Sequence, residues 1–136
     1  MKNVLILLGL FLGTTALAAG GPLRDQFGNH YDPENLSPKV TVLDFAASWC
    51  QPCWRALPHL QAYAKAHPEV QVLVVSEDDQ RAGRDTLVKK LGLKIPVVWD
   101  EDHQLAKKMN PPGMPTTYVL DADGKVVHFQ VGEELV

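Results

Sequence analysis

Trp49-Cys50-Gln51-Pro52-Cys53 is the stretch that decides the reading, because it holds both cysteines of the 136-residue chain. Immediately upstream, Val40-Thr41-Val42-Leu43-Asp44-Phe45-Ala46 is rich in β-branched and apolar residues, which predicts a buried strand. Downstream, Trp54 to Ala66 places apolar side chains at Leu57, Leu60, Tyr63 and Ala64, the spacing of one helix face. The two thiols therefore fall where a strand ends and a helix begins. Backbone N–H groups at a helix start lack partners, and the helix dipole adds partial positive charge there. Both effects lower a thiol pKa toward neutrality and favour the thiolate, which is the attacking species. With two residues between them, one sulfur can attack a partner and the other can resolve the mixed disulfide. The pattern implies dithiol–disulfide exchange. A purely structural disulfide across so short a loop would constrain the unfolded chain little. A zinc knuckle would need a second pair of Cys or His ligands at short spacing, and the sequence has no such pair.

A hydrophobic share of 46% beside 21% charged residues suits one compact domain. Residues 1–18 differ in kind. Lys2 is followed by the apolar run Val4 to Leu12 and then by small residues ending in Ala16-Leu17-Ala18. A positive start, a short apolar centre and an A-x-A site describe a secretory signal peptide cleaved after Ala18. The run is short of the roughly 20 residues that a spanning helix needs. An uncleaved N-terminal anchor facing the periplasm is the alternative, and would be the chain's only membrane contact. No cysteine follows the cleavage site to carry a lipid. Without Lys2, 12 Lys and Arg stand against 16 Asp and Glu, a net charge of −4 with no basic patch for nucleic acid. Export leads to an oxidising compartment such as the periplasm, where two cysteines ordinarily pair. Composition leaves open whether this pair is kept oxidised or actively reduced.

Residues 19–39 are polar, with turn signals at Gly28-Asn29 and Asp32-Pro33, and predict an exposed lead-in with a short strand pair around Phe27 and Tyr31. The domain proper is expected over 40–136. Pro58 should remove a hydrogen bond from the first helix and kink it. Val70–Ser76 reads as a second buried strand. A helix over Asp78–Leu91, stopped by Gly92, comes next. Pro96–Trp99 reads as a short strand and Gln104–Met109 as a short helix. Thr116–Leu120 is a strand with Pro115 at its entry, and Asp121-Ala122-Asp123-Gly124 turns it into a hairpin with Lys125–Val131. The order β-α-β-α-β-α-β-β predicts an α/β fold with a central mixed β-sheet flanked by helices and antiparallel strands at its end.

The strand, the W-C-x-P-C, the proline five residues on and the later Gly113-Met114-Pro115-Thr116-Thr117-Tyr118-Val119-Leu120-Asp121 together resemble the thioredoxin fold. The likeness is closer to its exported TlpA/ResA-like branch of thiol–disulfide oxidoreductases, over roughly Pro22 to Gly132. The resemblance implies that Cys50 is the exposed nucleophile and Cys53 the buried resolving thiol, the two forming the redox disulfide. Trp49 would pack beside that disulfide and shield it. Gln51 and Pro52, between the cysteines, would contact substrate. Pro115 would be a cis-proline facing the disulfide, and the Met114 backbone, with Thr116 beside it, would pair with an extended substrate as an added strand. Asp44 interrupts an apolar strand six residues before Cys50, so it should point inward beneath the pair. There its pKa would be raised and it would accept the Cys53 proton. A carboxylate capping backbone at the strand end is the alternative.

Three positions depart from the branch. Ala56 stands where many ResA-like members carry a glutamate, which moves the proton role to Asp44. Trp54 stands where thioredoxins usually carry lysine, and would add apolar contact surface for partners. A C-terminal helix normally follows the last hairpin, and Gly132 to Val136 could only begin one, so either the sequence is a fragment or one face of the sheet is left partly open. His59 is expected on a solvated flank, and a metal role for it or His128 has thin support. The resemblance implies a reductase of disulfides in exported proteins, apocytochrome c among them. Its partners would be protein thiols and disulfides, its pair would be recharged by a membrane electron-transfer protein, and it would need no cofactor or metal. Gln51-Pro52 resembles the reducing thioredoxin pattern more than the Pro-His of the oxidant DsbA. A DsbA-type oxidant and a Cu(I)-binding module remain the rival classes.

Overall fold

A computed structural model describes residues 21–36 and 39–133. The expected signal peptide at 1–18 and residues 134–136 lie outside the described residues. The elements are β1 (Leu23–Arg24), β2 (His30–Tyr31), β3 (Thr41–Ala46), α1 (Gln51–Ala66), β4 (Gln71–Ser76), α2 (Arg81–Leu91), β5 (Val97–Trp99), a 3-10 turn (Glu101–His103), α3 (Gln104–Met109), β6 (Thr116–Leu120) and β7 (Val126–Val131). The main sheet runs β5-β4-β3-β6-β7. Strands β3, β4 and β5 are parallel, and β6 and β7 close the far end antiparallel.

Strand β3 is buried along its whole length, as a continuous apolar run demands when both faces are covered. The period of two then sorts its side chains between two cores. On one face Val42 and Ala46 join Val72, Val74 and Val97 beneath Leu57 and Leu60 of α1 and Leu87 of α2, and both cysteines belong to this cluster. On the other face Leu43 and Phe45 join Leu73, Val75, Val98 and Tyr118, covered by Leu105 of α3 and Leu23 of β1. Helix α1 runs through Pro58 to Ala66. Pro58 lies on the exposed face of the helix. Gly92 ends α2 in the left-handed region at φ 61°, and its N–H donates to Val88 O. Among the described residues no helix follows β7, whose Val126, Val127, Phe129 and Val131 are exposed.

Two elements differ from the sequence expectation. Helix α2 begins at Arg81 rather than Asp78, because residues 77 and 78 lead from the end of β4 into the interior before the chain turns. The Glu77 N–H donates to Ala46 O at 2.8 Å, and both Glu77 and Asp78 are buried. The lead-in is mostly exposed, as expected, but buried Leu23 and Asp25 dock it on the domain. Phe27 lies in the turn between β1 and β2, and this turn is organised by buried Asp25, which accepts from the Phe27 and Asn29 N–H groups and the Tyr31 hydroxyl. Gln26 then reaches the outer edge of the sheet at β5. Its Nε2 donates to Ile95 O and its Oε1 accepts from Val97 N–H, each at 2.7 Å. An edge strand presents unpaired backbone groups, and this single side chain satisfies two of them.

Gln26→Ala should therefore leave the Val97 N–H unpartnered at a buried residue and destabilise the protein by about 1–3 kcal/mol in chemical denaturation. An unfolding midpoint equal to that of the parent would show that water replaces Gln26 at no cost.

Candidate active site

The chain leaves β3 at Ala46, turns through Ala47, Ser48 and Trp49, and enters α1 with Cys50 as the N-cap. Cys50 has extended backbone angles, φ −90° and ψ 102°, and its N–H donates to Ala47 O at 3.1 Å. Pro52 suits the first turn, since its missing N–H would have no helical partner there. The Cys53 N–H donates to Cys50 Sγ at 3.3 Å, so the sulfur takes the place that a serine or aspartate oxygen usually holds at a helix start. The two cysteines form a disulfide with Cα atoms 5.4 Å apart. Helix α1 has no acidic residue in its first turn to oppose a thiolate. An opened Cys50 thiol would thus face a backbone donor and the positive end of a helix dipole, both of which favour its anion.

Cys53 is fully buried, and Cys50 is only 4% exposed, less than an exposed nucleophile implies. The turn before α1 tucks Cys50 into the α1-side core cluster, leaving a narrow approach to one sulfur and none to the other. Trp49, expected beside the disulfide, is 65% exposed. It is Trp54 that packs against this core cluster, while its indole N–H donates to Ser48 O at 2.8 Å. Helical phase explains the difference in burial: Trp54 lies one turn into α1, whereas Trp49 precedes the helix. Gln51 is exposed and Pro52 half-buried, so both border the approach to Cys50.

Asp44 lies where the sequence expects it. It occupies the face of β3 that carries Val42 and Ala46, hence the face covered by α1, and is 3% exposed. Its register partner on β6 is Thr117, whose hydroxyl donates to Asp44 Oδ1 at 2.7 Å. Oδ2 is buried without a hydrogen-bond partner. Burial pushes the carboxyl up to about 7, and the Thr117 bond opposes the rise only in part. Thr117 also borders an open cleft of about 400 Å³ between α1 and the β6–β7 hairpin, lined as well by His59, Tyr63 and His128. Among the described residues, no group of three or more His, Cys, Asp or Glu side chains is placed to hold a metal ion.

The Met114–Pro115 peptide bond is cis. Met114 is half-buried and packs against both cores, which places it at the rim of the cluster that holds the cysteines. Pro115 is buried, and its carbonyl accepts from Gly132 N–H at 2.9 Å. Thr116 is fully buried and its hydroxyl donates to Gly113 O at 2.6 Å, so its side chain closes the loop and is not available to a substrate. Sequence reasoning missed Ser48 and Asp78, and also the neighbouring Glu77, whose carboxyl is pushed up to about 9 by burial and by the nearby Asp100. Three consecutive acids after a buried strand were the available signal.

The model of the AhpC/TSA family matches residues 13–129. The thiol-disulfide oxidoreductase ResA of Bacillus thuringiensis (strain Al Hakam) is 28% identical over 114 residues, covering 82% of this chain. The chain spans 66% of the length of that relative. The crystal structure of StoA from Bacillus subtilis superposes with a TM-score of 0.73 at 25% identity, covering 84% of this chain and 88% of that one. A secreted Mycobacterium tuberculosis disulfide oxidoreductase, described as homologous to Escherichia coli DsbE, gives 0.70 at 25% identity with 81% of each chain covered.

The titration of Asp44 has a stability consequence. Its folded-state pKa of about 7 lies above the ordinary aspartate value of 3.8, so between these pH values the folded protein keeps a proton that the unfolded chain releases. Stability from this group is full below about pH 4, declines as pH rises and levels off above about pH 7. Asp44→Asn should remove the decline. In urea unfolding of the oxidised protein its gain over the parent should grow across that window, by up to about 4 kcal/mol. A difference that stays constant with pH would show that Asp44 does not titrate there.

Proposed function

This chain belongs to the AhpC/TSA family and has the thioredoxin-like fold, and on that premise we propose that it is a thiol–disulfide oxidoreductase that reduces disulfides in exported proteins. The observation that carries the reading is the cap itself: a cysteine sulfur that receives the first-turn N–H of α1, bonded to a second cysteine that is fully buried. That asymmetry suits an attacking and a resolving thiol.

In the reduced enzyme the Cys50 thiolate attacks one sulfur of a substrate disulfide. A mixed disulfide forms and the other substrate sulfur leaves as a thiolate that takes up a proton. Asp44 accepts the Cys53 proton, and the Cys53 thiolate attacks Cys50 Sγ. The second substrate sulfur departs, and the enzyme is left with the Cys50–Cys53 disulfide. Two electrons have passed to the substrate, so the enzyme must be reduced again, a role we assign to a membrane thiol donor. An Asp44 carboxyl that titrates near neutrality is matched to the proton step. Trp49, Gln51 and Pro52 form the surface around Cys50, and Met114 with cis Pro115 offers backbone to an extended substrate. Residues 1–18 direct export, and apocytochrome c disulfides are one substrate class. The Gln51-Pro52 dipeptide supports the reducing direction, and the secreted oxidoreductase among the relatives supports export.

Reduced Cys53→Ser protein mixed with a disulfide-bonded test protein should accumulate a conjugate through Cys50, cleaved by dithiothreitol. Cys50→Ser should form none. Asp44→Asn should leave the first attack intact and slow resolution by about a hundredfold above neutral pH. A conjugate that forms through Cys53 instead would contradict the assignment.

A further inference from the structure

We propose that Asp78 is a positioning residue for the Cys50–Cys53 chemistry, acting through Ser48 to hold the turn that presents Cys50 at the start of α1. The inference rests on the redox reading above. Asp78 lies two residues past the end of β4 and is 4% exposed. Its Oδ1 accepts from the Ser48 N–H at 3.1 Å and from the Ser48 hydroxyl at 2.5 Å. Its Oδ2 accepts from the same N–H at 3.1 Å and from the Ser76 hydroxyl at 2.7 Å. On its other side Ser48 O accepts the Trp54 indole N–H. Every polar atom of Ser48 is thus engaged, two residues before Cys50. The Asp78 backbone is fixed in turn, since its carbonyl accepts the Trp99 indole N–H at 2.8 Å.

The carboxylate does not serve its own helix. The cap of α2 is Gln80, which makes no side-chain cap bond. Helix α2 is instead shaped around Asp78. A Cβ on Gly83 would stand 2.3 Å from Asp78 Cγ and Oδ1, so a side chain there would push the carboxyl away from Ser48. Strand β4, helix α2 and the Trp99 indole fix Asp78, and Asp78 together with the Trp54 indole holds Ser48.

The consequence appears when the disulfide opens. In the oxidised protein the S–S bond itself helps hold Cys50 Sγ over the Cys53 N–H. In the reduced protein only the turn holds it there. A turn that drifts lengthens the N–H to sulfur contact, weakens the helix-terminus stabilisation and leaves less thiolate at a given pH.

The test uses reduced protein and follows alkylation of Cys50 by iodoacetamide across the acid-to-neutral range, read by mass. Ser48→Ala removes the hydroxyl bond, and Gly83→Ala displaces the carboxyl without touching the turn. Both keep the carboxyl in the molecule, so a change reports position. Each should raise the apparent Cys50 pKa by about one unit, slowing alkylation about tenfold below the pKa. Ser48→Thr keeps the hydroxyl and should retain the parent profile. If both alanine variants melt at lower temperature yet alkylate with the parent profile, Asp78 serves stability alone and the proposal is overturned. The readout needs no partner protein. A parent that lacks reductase activity while the shift persists would count against the reductase reading and not against this one.

Discussion

A helix begins with backbone N–H groups that have no partner, and in this protein a cysteine sulfur accepts one of them. The geometry of that contact sets how readily Cys50 ionises, because a sulfur anion is stabilised by a donor and by the helix dipole only while it stays within reach. Much of the surrounding structure can be understood as holding one sulfur in place. Strand β3 delivers the chain to the start of α1. The apolar face of α1, through Leu57 and Leu60, anchors the helix on the sheet. The residues between β3 and α1 are tied by hydrogen bonds from two directions, Trp54 on one side and Asp78 on the other.

Burial gives the two sulfurs different surroundings from one short motif. Cys50 sits at the helix edge with a sliver of exposure, and Cys53 one turn later faces the sheet. Beneath them, the carboxyl of Asp44 lies in an apolar face where its ionised form is disfavoured. A group that is neutral below pH 7 and charged above it costs the fold stability at high pH. The open cleft beside Thr117 gives this buried pair a neighbour that water can enter.

Sequence made the sheet and helices legible wherever apolar spacing repeats, as in β3, β4, α1 and α3. It also exposed Asp44, since a lone carboxylate in a buried strand stands out without any knowledge of its partners. What stayed hidden depends on contacts between distant segments. Gln26 is 69 and 71 residues from the backbone groups it binds, and Asp78 is 30 residues from Ser48. Gln26 carries no local signal, and the run of acids that contains Asp78 reads as a helix start. The two tryptophans beside the cysteines differ only in phase. Trp49 precedes the helix and is largely exposed, while Trp54, one turn in, packs against the core. Thr116 looked available for substrate because it follows Pro115, but a hydroxyl that bonds Gly113 O is already spent.

The reduction potential of the Cys50–Cys53 pair, from equilibration with glutathione or dithiothreitol at neutral pH, tests the central claim most directly. A reductase requires a pair that gives up electrons readily, so the potential should lie near that of thioredoxin, about −270 mV. A potential near that of DsbA, about −120 mV, would mean that the dithiol form is the stabilised one, and would contradict the account by making the protein an oxidant.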